Sequence, residues 1–155
     1  MYPTTEETTL WVALNLAQRS VYNAMDSALK SEGLPRLRWY DILWGIERSD
    51  ADGLRPIEIE RSLLFEQSNL SRILRRMIEE GLVKESVCPD DRRGRLLRIT
   101  AKGRRVRKQM WKIYGPLIHM SMSKASKNHE PAQFTRALKS LIEQQELRSL
   151  IEQQE

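Results

Sequence analysis

The sequence contains few of the residues on which enzymes and metal sites are usually built. Cys88 is its single cysteine, which excludes an intrachain disulfide and a cysteine-based zinc cluster. The two histidines, His119 and His129, are ten residues apart and lack metal-ligand spacing. Neither a nucleophile motif of the Gly-x-Ser-x-Gly type nor a glycine-rich phosphate loop occurs. We therefore expect no enzymatic activity, no metal and no cofactor.

Long apolar runs are also missing. No stretch approaches the roughly 20 apolar residues that a membrane-spanning helix needs. The N-terminal residues lack the basic and apolar regions of a signal peptide. The chain has 155 residues, of which 40% are hydrophobic and 30% charged, and this composition suits one globular domain with its own core. We expect a single cytoplasmic domain without a membrane partner.

Positive charge, by contrast, is abundant and concentrated in one region. Between Arg72 and Lys108 the sequence has 13 lysines and arginines against 5 acidic residues, whereas residues 1–71 carry 7 against 11. The formal net charge of +5 is therefore a local patch. A basic helix followed by a basic hairpin is typical of a winged helix-turn-helix surface that binds DNA.

The hydrophobic pattern predicts a mainly α fold with a small β-hairpin wing. Apolar residues recur every three or four positions from Leu10 to Ala28, and Thr4 with Glu7 forms a capping box, which predicts a helix over about residues 6–32. The same spacing predicts five further helices, over about 37–47, from 56, over about 68–80, from 101 and from about 129. Residues 82–87 and 95–100 are short strand-like runs, joined by a long hairpin tip.

The fourth helix and the hairpin supply the candidate DNA contacts. Leu70, Leu74 and Met77 share a narrow arc of that helix, so its polar side chains face outward. The guanidinium of Arg72 can bond two acceptors of guanine, which makes this residue the best candidate for a base contact. The candidate contacts are Gln67, Ser68, Asn69, Ser71, Arg72, Arg75 and Arg76 in the helix and Arg92, Arg93 and Arg95 in the hairpin. Any one of the hairpin arginines taken singly could equally well be a solvated surface residue, but three of them beside a helix that carries Arg72 and Arg75 favour nucleic acid.

This segment resembles the multiple antibiotic resistance regulator (MarR) family of bacterial transcription factors. The family's wing motif is Asp-x-Arg, five residues, then Leu-Thr-x-x-Gly. The chain has Asp91, Arg93, Thr100 and Gly103 in these places, with Ile99 instead of leucine. Residues 69–77 and 80–83 are similar to the family's recognition helix and the chain that follows it. We expect Asp91 to hold a neighbouring arginine by a charge-assisted hydrogen bond rather than to contact DNA.

The resemblance implies a single MarR-like domain. Its winged helix-turn-helix region would span about 36–100, with dimerisation helices at about 5–33 and 101–147. As an alternative, the apolar stripes of those helices could belong to an intramolecular core. The sequence of residues 140–146 is repeated at 149–155, nine residues later. In a continuous helix an offset of nine residues places the two copies on opposite faces. We therefore expect 148–155 to be a frayed tail.

The implied function is a homodimeric regulator, a repressor that binds a pseudo-palindromic operator in double-stranded DNA. The resemblance also implies release by a small aromatic or phenolic effector, held by residues of the helices that border the cleft. The candidates are Trp11, Arg19, Arg38, Trp39, Tyr40, Trp44, Trp111 and Tyr114, and aromatic residues at this spacing could also be core. Cys88 could be a redox switch beside Arg92 and Arg93, or an inert cysteine. A non-specific architectural DNA-binding protein and a protein-interaction module are the alternatives from other classes.

Overall fold

Over the residues that the structure describes, the chain forms six helices and one antiparallel hairpin, as predicted. A computed structural model describes residues 2–49, 53–63, 67–87, 94–127 and 130–152, and all of their side chains except those of 62, 63, 67, 68 and 144–152. The elements are α1 (Thr5–Ser31), α2 (Leu37–Arg48), α3 (Pro56–Leu63), α4 (Gln67–Glu79), β1 (Val83–Val87), β2 (Arg95–Ile99), α5 (Ala101–Ala125) and α6 (Pro131–Glu152).

Helix α1 begins with the predicted capping box. The backbone N–H of Thr4 donates to Glu7 Oε2 at 2.6 Å, and the N–H of Glu7 donates to Thr4 Oγ1 at 3.2 Å. The hydrogen bond from the Thr4 N–H, and after it one from the Thr4 side chain, favours the charged carboxylate and lowers the pKa of Glu7. Helix α2 has no capping side chain of its own. Instead, the N–H of Leu37 donates to Asp26 Oδ1 at 2.9 Å, so a side chain of α1 caps α2.

The core lies between α2, α3, α4 and the hairpin. It consists of Trp39, Ile42, Leu43, Ile46, Ile59, Leu70, Leu74, Met77, Leu82, Val83, Leu97 and Ile99. In the hairpin, Val83 pairs with Ile99 and Val87 with Arg95. Leu54, just before α3, adds a bridge to Leu97, with N···O distances of 3.0 and 2.9 Å. The hairpin is thereby attached to the three helices, and α4 is fixed beside it.

The backbone forms two compact units, Met1–Pro116 and Leu117–Glu155, and the core belongs to the first. Helix α5 runs through Pro116 without a break. Helix α6 continues to Glu152, five residues into the segment predicted to be a frayed tail. The second copy of the repeat is rich in Leu, Glu and Gln, which favour a helix as much as they do in the first copy. Among the described residues no helix is both long and apolar enough to cross a membrane.

Candidate nucleic-acid interface

Helix α4 has a buried face and an outward polar face. Leu70, Leu74 and Met77 are buried in the core. Ser71, Arg72, Arg75 and Arg76 are exposed, and Asn69 is half-buried. Gln67 and Ser68, which were predicted to contact DNA, lie in the first turn of α4, where only the backbone is described. The helix thus presents a row of guanidinium and hydroxyl groups on the side opposite the core.

Two sets of hydrogen bonds hold the C-terminus of α4, one within the turn that follows the helix and one from residues near the start of α5. Gly81, with φ of 70°, reverses the chain, so that its N–H donates to Ile78 O and the N–H of Leu82 donates to Met77 O, both at 2.9 Å. Two carbonyls at this end are then bonded by residues near the start of α5. The Thr100 hydroxyl donates to Gly81 O at 2.7 Å, and the Lys102 ammonium donates to Glu80 O at 2.7 Å.

The structure explains why the C-terminal end of the predicted wing motif contains Thr100 and Gly103. Thr100 caps α5, because its hydroxyl accepts the N–H of Gly103 at 3.0 Å while it donates to Gly81. Gly103 is required by a close approach, since an added Cβ would lie 2.2 Å from Leu82 O. Thr100 and Gly103 therefore join the hairpin to α5. The tip, with Cys88, Asp91, Arg92 and Arg93, lies outside the described residues.

The strands of the hairpin carry the remaining predicted wing residue, Arg95. Its guanidinium pairs with Glu85 on the opposite strand, with Nη1 2.6 Å from Oε2. The Arg95 side chain is 68% exposed, so the pair contributes little to stability and can open at small cost. Arg98 donates to Ser86 Oγ at 3.1 Å. Both arginines thus have cross-strand partners in the free protein.

An ionic and aromatic cluster joins α2 to α5. Glu47 of α2 forms an ion pair with Arg107 and lies 3.7 Å from Arg104 Nε. One helical turn along α5, Trp111 stacks on Tyr40 with ring centroids 5.8 Å apart, and Tyr114 meets Tyr40 edge-on at 5.0 Å. Paired charges and stacked rings in one contact favour a fixed angle between these two helices.

Asp41 lies half-buried between tyrosines on this side of α2. Burial raises the pKa of Asp41 to about 6, and the charge of Arg38 opposes the rise only in part. The pKa of Tyr114 is raised as well, first by burial and then by the negative charge of Asp41. Arg38 also hydrogen-bonds Tyr22 of α1. Asp41 is therefore a carboxylate whose charge is unfavourable at its position.

Two open cavities meet at Trp39, between α4 and the helices α1, α2 and α5. The first, of about 440 Å³, is lined by Gly33, Leu34, Pro35, Arg36, Trp39, Arg76, Glu80, Leu82, Lys102 and Val106. The second, of about 410 Å³, is lined by Tyr22, Asp26, Arg36, Arg38, Trp39, Asn69, Arg72, Ile73 and Arg76. The guanidinium of Arg76 lies 5.9 Å from the Trp39 ring centroid. Cations outnumber carboxylates in both walls, so these cavities suit anionic ligands.

The predicted effector residues separate into three sets. Arg38 and Trp39 line the cavities. Tyr40, Trp111 and Tyr114 form the cluster between α2 and α5. Trp11, Arg19 and Trp44 are exposed on α1 and α2 and line neither cavity, and Trp44 packs under the Arg48 guanidinium at 4.7 Å. The structure therefore does not gather the eight predicted residues into one site.

The segment between α1 and β2 also matches a known family. A model of the MarR family matches residues 32–94. This match covers less than half of the chain, and it shows that residues 32–94 are similar to the MarR family. Over 89 residues, or 57% of its length, it is 27% identical to the multiple antibiotic resistance protein MarR of Escherichia coli (strain K12). The aligned part spans 62% of that protein, less than two thirds of its length.

Solved structures of MarR-family proteins share the fold. AbsC, a MarR family transcriptional regulator from Streptomyces coelicolor, has a TM-score of 0.80 at 22% identity, with 96% of this chain and 99% of that one covered. Sco3205, a MarR family transcriptional regulator from the same organism in complex with DNA, has a TM-score of 0.78 at 21% identity, covering 92% and 87%. At these identities the similarity establishes the fold.

Sequence reasoning did not identify several residues that shape this candidate interface. Arg36 lines both cavities, and Lys102 lines one of them while it bonds the end of α4. Glu47 and Asp26 hold α2 against α5 and α1. Lys102 had a signal in the sequence, because a lysine at the second position of a helix opposes the helix dipole. The others depend on contacts between helices, and their local sequence carries no such sign.

Proposed function

We propose that this chain is a DNA-binding transcription regulator that binds a pseudo-palindromic operator as a homodimer and represses transcription. The observation that carries the proposal is the outward face of α4. Arg72 and Arg75 are exposed there, opposite the buried Leu70 and Leu74, and the hairpin lies directly after the helix. A recognition helix of this kind places its polar face in the major groove.

Arg72 and the hairpin arginines would have different tasks. Arg72 would contact guanine O6 and N7, which is worth about 1–3 kcal/mol of discrimination between bases. Arg92, Arg93 and Arg95 would contact the phosphate backbone or a narrow minor groove beside the operator half-site. Arg95 would first exchange Glu85 for a phosphate, and its exposure supports such an exchange.

The proposal of a homodimer is supported by the first half of α1. Its apolar side chains include Leu10 at 67% and Trp11 at 65% exposure, and residues 5–20 of the helix are all exposed in the single chain. A stripe of this size is typical of a surface that a partner covers. A second copy is the natural partner, because two recognition helices about 10 base pairs apart must be related by a twofold axis.

The experiment compares operator DNA with scrambled DNA over a range of salt concentrations. The operator is first selected from a random duplex library by the wild-type protein. Arg72→Ala should lose roughly 1–3 kcal/mol on the operator and relax preference at one base pair in each half-site. Arg95→Ala should instead weaken both DNAs and flatten the slope of log affinity against log salt by about 0.9.

Three outcomes separate the candidate functions. A regulator gives a large ratio of operator to scrambled affinity. An architectural protein binds both DNAs alike, and a protein-interaction module binds neither. If Arg72→Ala weakens the two DNAs equally, Arg72 contacts phosphate and the base contact has to be sought elsewhere on α4.

We further propose that a small aromatic anion releases the protein from DNA. The support is the pair of cavities at Trp39, which combine an aromatic wall with Arg36 and Arg76. Arg72 lines the second cavity and is also the candidate base contact. A ligand carboxylate held by Arg72 would therefore compete with the operator for the same guanidinium, in addition to any change in the spacing of the two recognition helices.

A further inference from the structure

Helix α5 starts with charges of the wrong sign. The N-terminus of a helix favours acidic side chains, because its free N–H groups carry partial positive charge. Yet the first turn of α5 contains no acidic residue, and Lys102 stands at its second position, followed by Arg104. A residue that is unfavourable for its own helix and nevertheless makes a specific contact elsewhere calls for a reason outside that helix.

That contact is with the recognition helix. The Lys102 ammonium donates to Glu80 O at 2.7 Å, where α4 ends and its carbonyls carry partial negative charge. The hydrogen bonds of Gly81 and Leu82 satisfy the carbonyls of Ile78 and Met77 but not that of Glu80. The same lysine is therefore unfavourable at the start of α5 and favourable at the end of α4.

We propose that Lys102 is a positioning residue for DNA reading, which fixes the C-terminus of α4 to the first turn of α5. Thr100 supports this link, because its hydroxyl donates to Gly81 O while it caps α5. With the hydrogen bonds of both Lys102 and Thr100 in place, α4 and the start of α5 change orientation together. The angle at which Arg72 meets the groove is then set by α5. The inference rests on the proposed function, since it concerns how the recognition helix is aimed.

A positioning role and a phosphate contact differ in their dependence on DNA sequence and salt. A lysine that contacts phosphate contributes equally to all duplexes, and its removal lowers the salt slope by about 0.9. A lysine that aims the recognition helix matters only where base contacts form. Its loss should weaken operator binding and leave binding to scrambled DNA close to that of a charge-matched control.

The test uses the full-length protein and three variants. Lys102→Met keeps the length of the side chain and removes the donor and the charge. Lys108→Met is the matched control, because it removes one exposed positive charge from the same helix. Lys102→Arg keeps a cationic donor and should restore the link. Each is measured for operator and scrambled-DNA affinity at several salt concentrations, and for hydrogen exchange of the amides of residues 80–82.

We expect Lys102→Met to bind the operator about 10-fold more weakly than Lys108→Met. This factor corresponds to the loss of one hydrogen bond with a charged donor. The amides of Glu80, Gly81 and Leu82 should exchange about 10-fold faster in Lys102→Met alone, because their hydrogen bonds lie in the turn that Lys102 holds. Lys102→Arg should bring both quantities back towards the wild type.

The proposal is overturned if Lys102→Met and Lys108→Met bind the operator equally well. It is also overturned if Lys102→Met weakens operator and scrambled DNA by the same factor with a flattened salt slope, which identifies a phosphate contact. A wild-type protein that does not distinguish the two DNAs would refute the proposed regulator instead. In that case the exchange measurement still shows whether Lys102 holds the end of α4.

Discussion

Replacement of Gly103 by alanine tests the joint between the hairpin and α5 directly. An added Cβ would lie 2.2 Å from Leu82 O and 2.8 Å from Ile99 Cγ1. The Leu82 carbonyl cannot move away freely, because it accepts the N–H of Thr100 at 3.0 Å and the Thr100 hydroxyl at 3.1 Å. Either α5 shifts away from the hairpin or these hydrogen bonds stretch.

The magnitude follows from three contributions. Forcing a methyl group into a closed contact typically costs about 1–3 kcal/mol. Weakening the two hydrogen bonds to Leu82 O adds roughly 0.5–1.5 kcal/mol for each bond that is lost. Alanine offsets about 0.5–1 kcal/mol of this, because it is the better helix former. We expect Gly103→Ala to lower the free energy of unfolding by about 2–4 kcal/mol.

Gly45 of α2 provides the matched control. A Cβ there would meet only Leu54 Cδ2, at 4.0 Å, which is an ordinary contact. Gly45→Ala should therefore raise the free energy of unfolding by roughly 0.5–1 kcal/mol through helix propensity alone. The measurement is urea unfolding of both variants at one fixed protein concentration, since a dimer's stability depends on concentration. Equal effects of the two substitutions, or an unchanged stability of Gly103→Ala, would refute the close contact.

Three further predictions concern pH, assembly and ligand. The pKa of Asp41 is about 6 in the folded chain, compared with 3.8 for an ordinary aspartate. The carboxyl group therefore does not destabilise the fold below pH 3.8, and its destabilising effect is complete once the pH has risen past 6. Asp41→Asn should thus stabilise the protein by about 1–2 kcal/mol at pH 7.5, with allowance for solvent screening, and hardly at all at pH 4, as thermal unfolding at the two pH values will show. A charge at Leu14 or Leu138 should abolish both dimer and operator binding in sedimentation and titration experiments, whereas a monomer with full operator affinity would rule out the dimer. An aromatic carboxylate that quenches Trp39 should weaken operator binding roughly 5- to 150-fold, and operator DNA must weaken that ligand by the same factor; a ligand bound without this reciprocity is not an effector.

Those parts of the fold that depend on nearby residues could be predicted from the sequence. The capping box of α1 needs only Thr4 and Glu7, three residues apart, and both hydrogen bonds are present. The arc of Leu70, Leu74 and Met77 identified the buried face of α4, because the helix period alone decides which side chains share a face. Pro56 marked the start of α3 in the same way.

Contacts of the charged and aromatic side chains could not be predicted so well. Arg95 and Arg76 were both assigned to DNA from their charge, yet in the free chain Arg95 pairs with Glu85 and Arg76 lies over Trp39. Such partners come from other elements, and their identity depends on how strands and helices pack. Trp11 and Trp39 likewise look alike in the sequence, although one is 65% exposed and the other 8%.

Lys102 shows how a residue that is unfavourable in its own helix can indicate a contact with another helix. Rules for helix ends are applied one helix at a time, and by those rules a lysine at the second position of α5 is misplaced. Its partner, Glu80 O, is 22 residues earlier and lies directly after a different helix, α4. The conflict between local preference and observed residue was visible in the sequence, but only the tertiary fold identifies the helix that benefits. A residue that opposes its own helix dipole at a joint between two elements, such as 100–103, is therefore worth testing first as a link to a neighbouring helix.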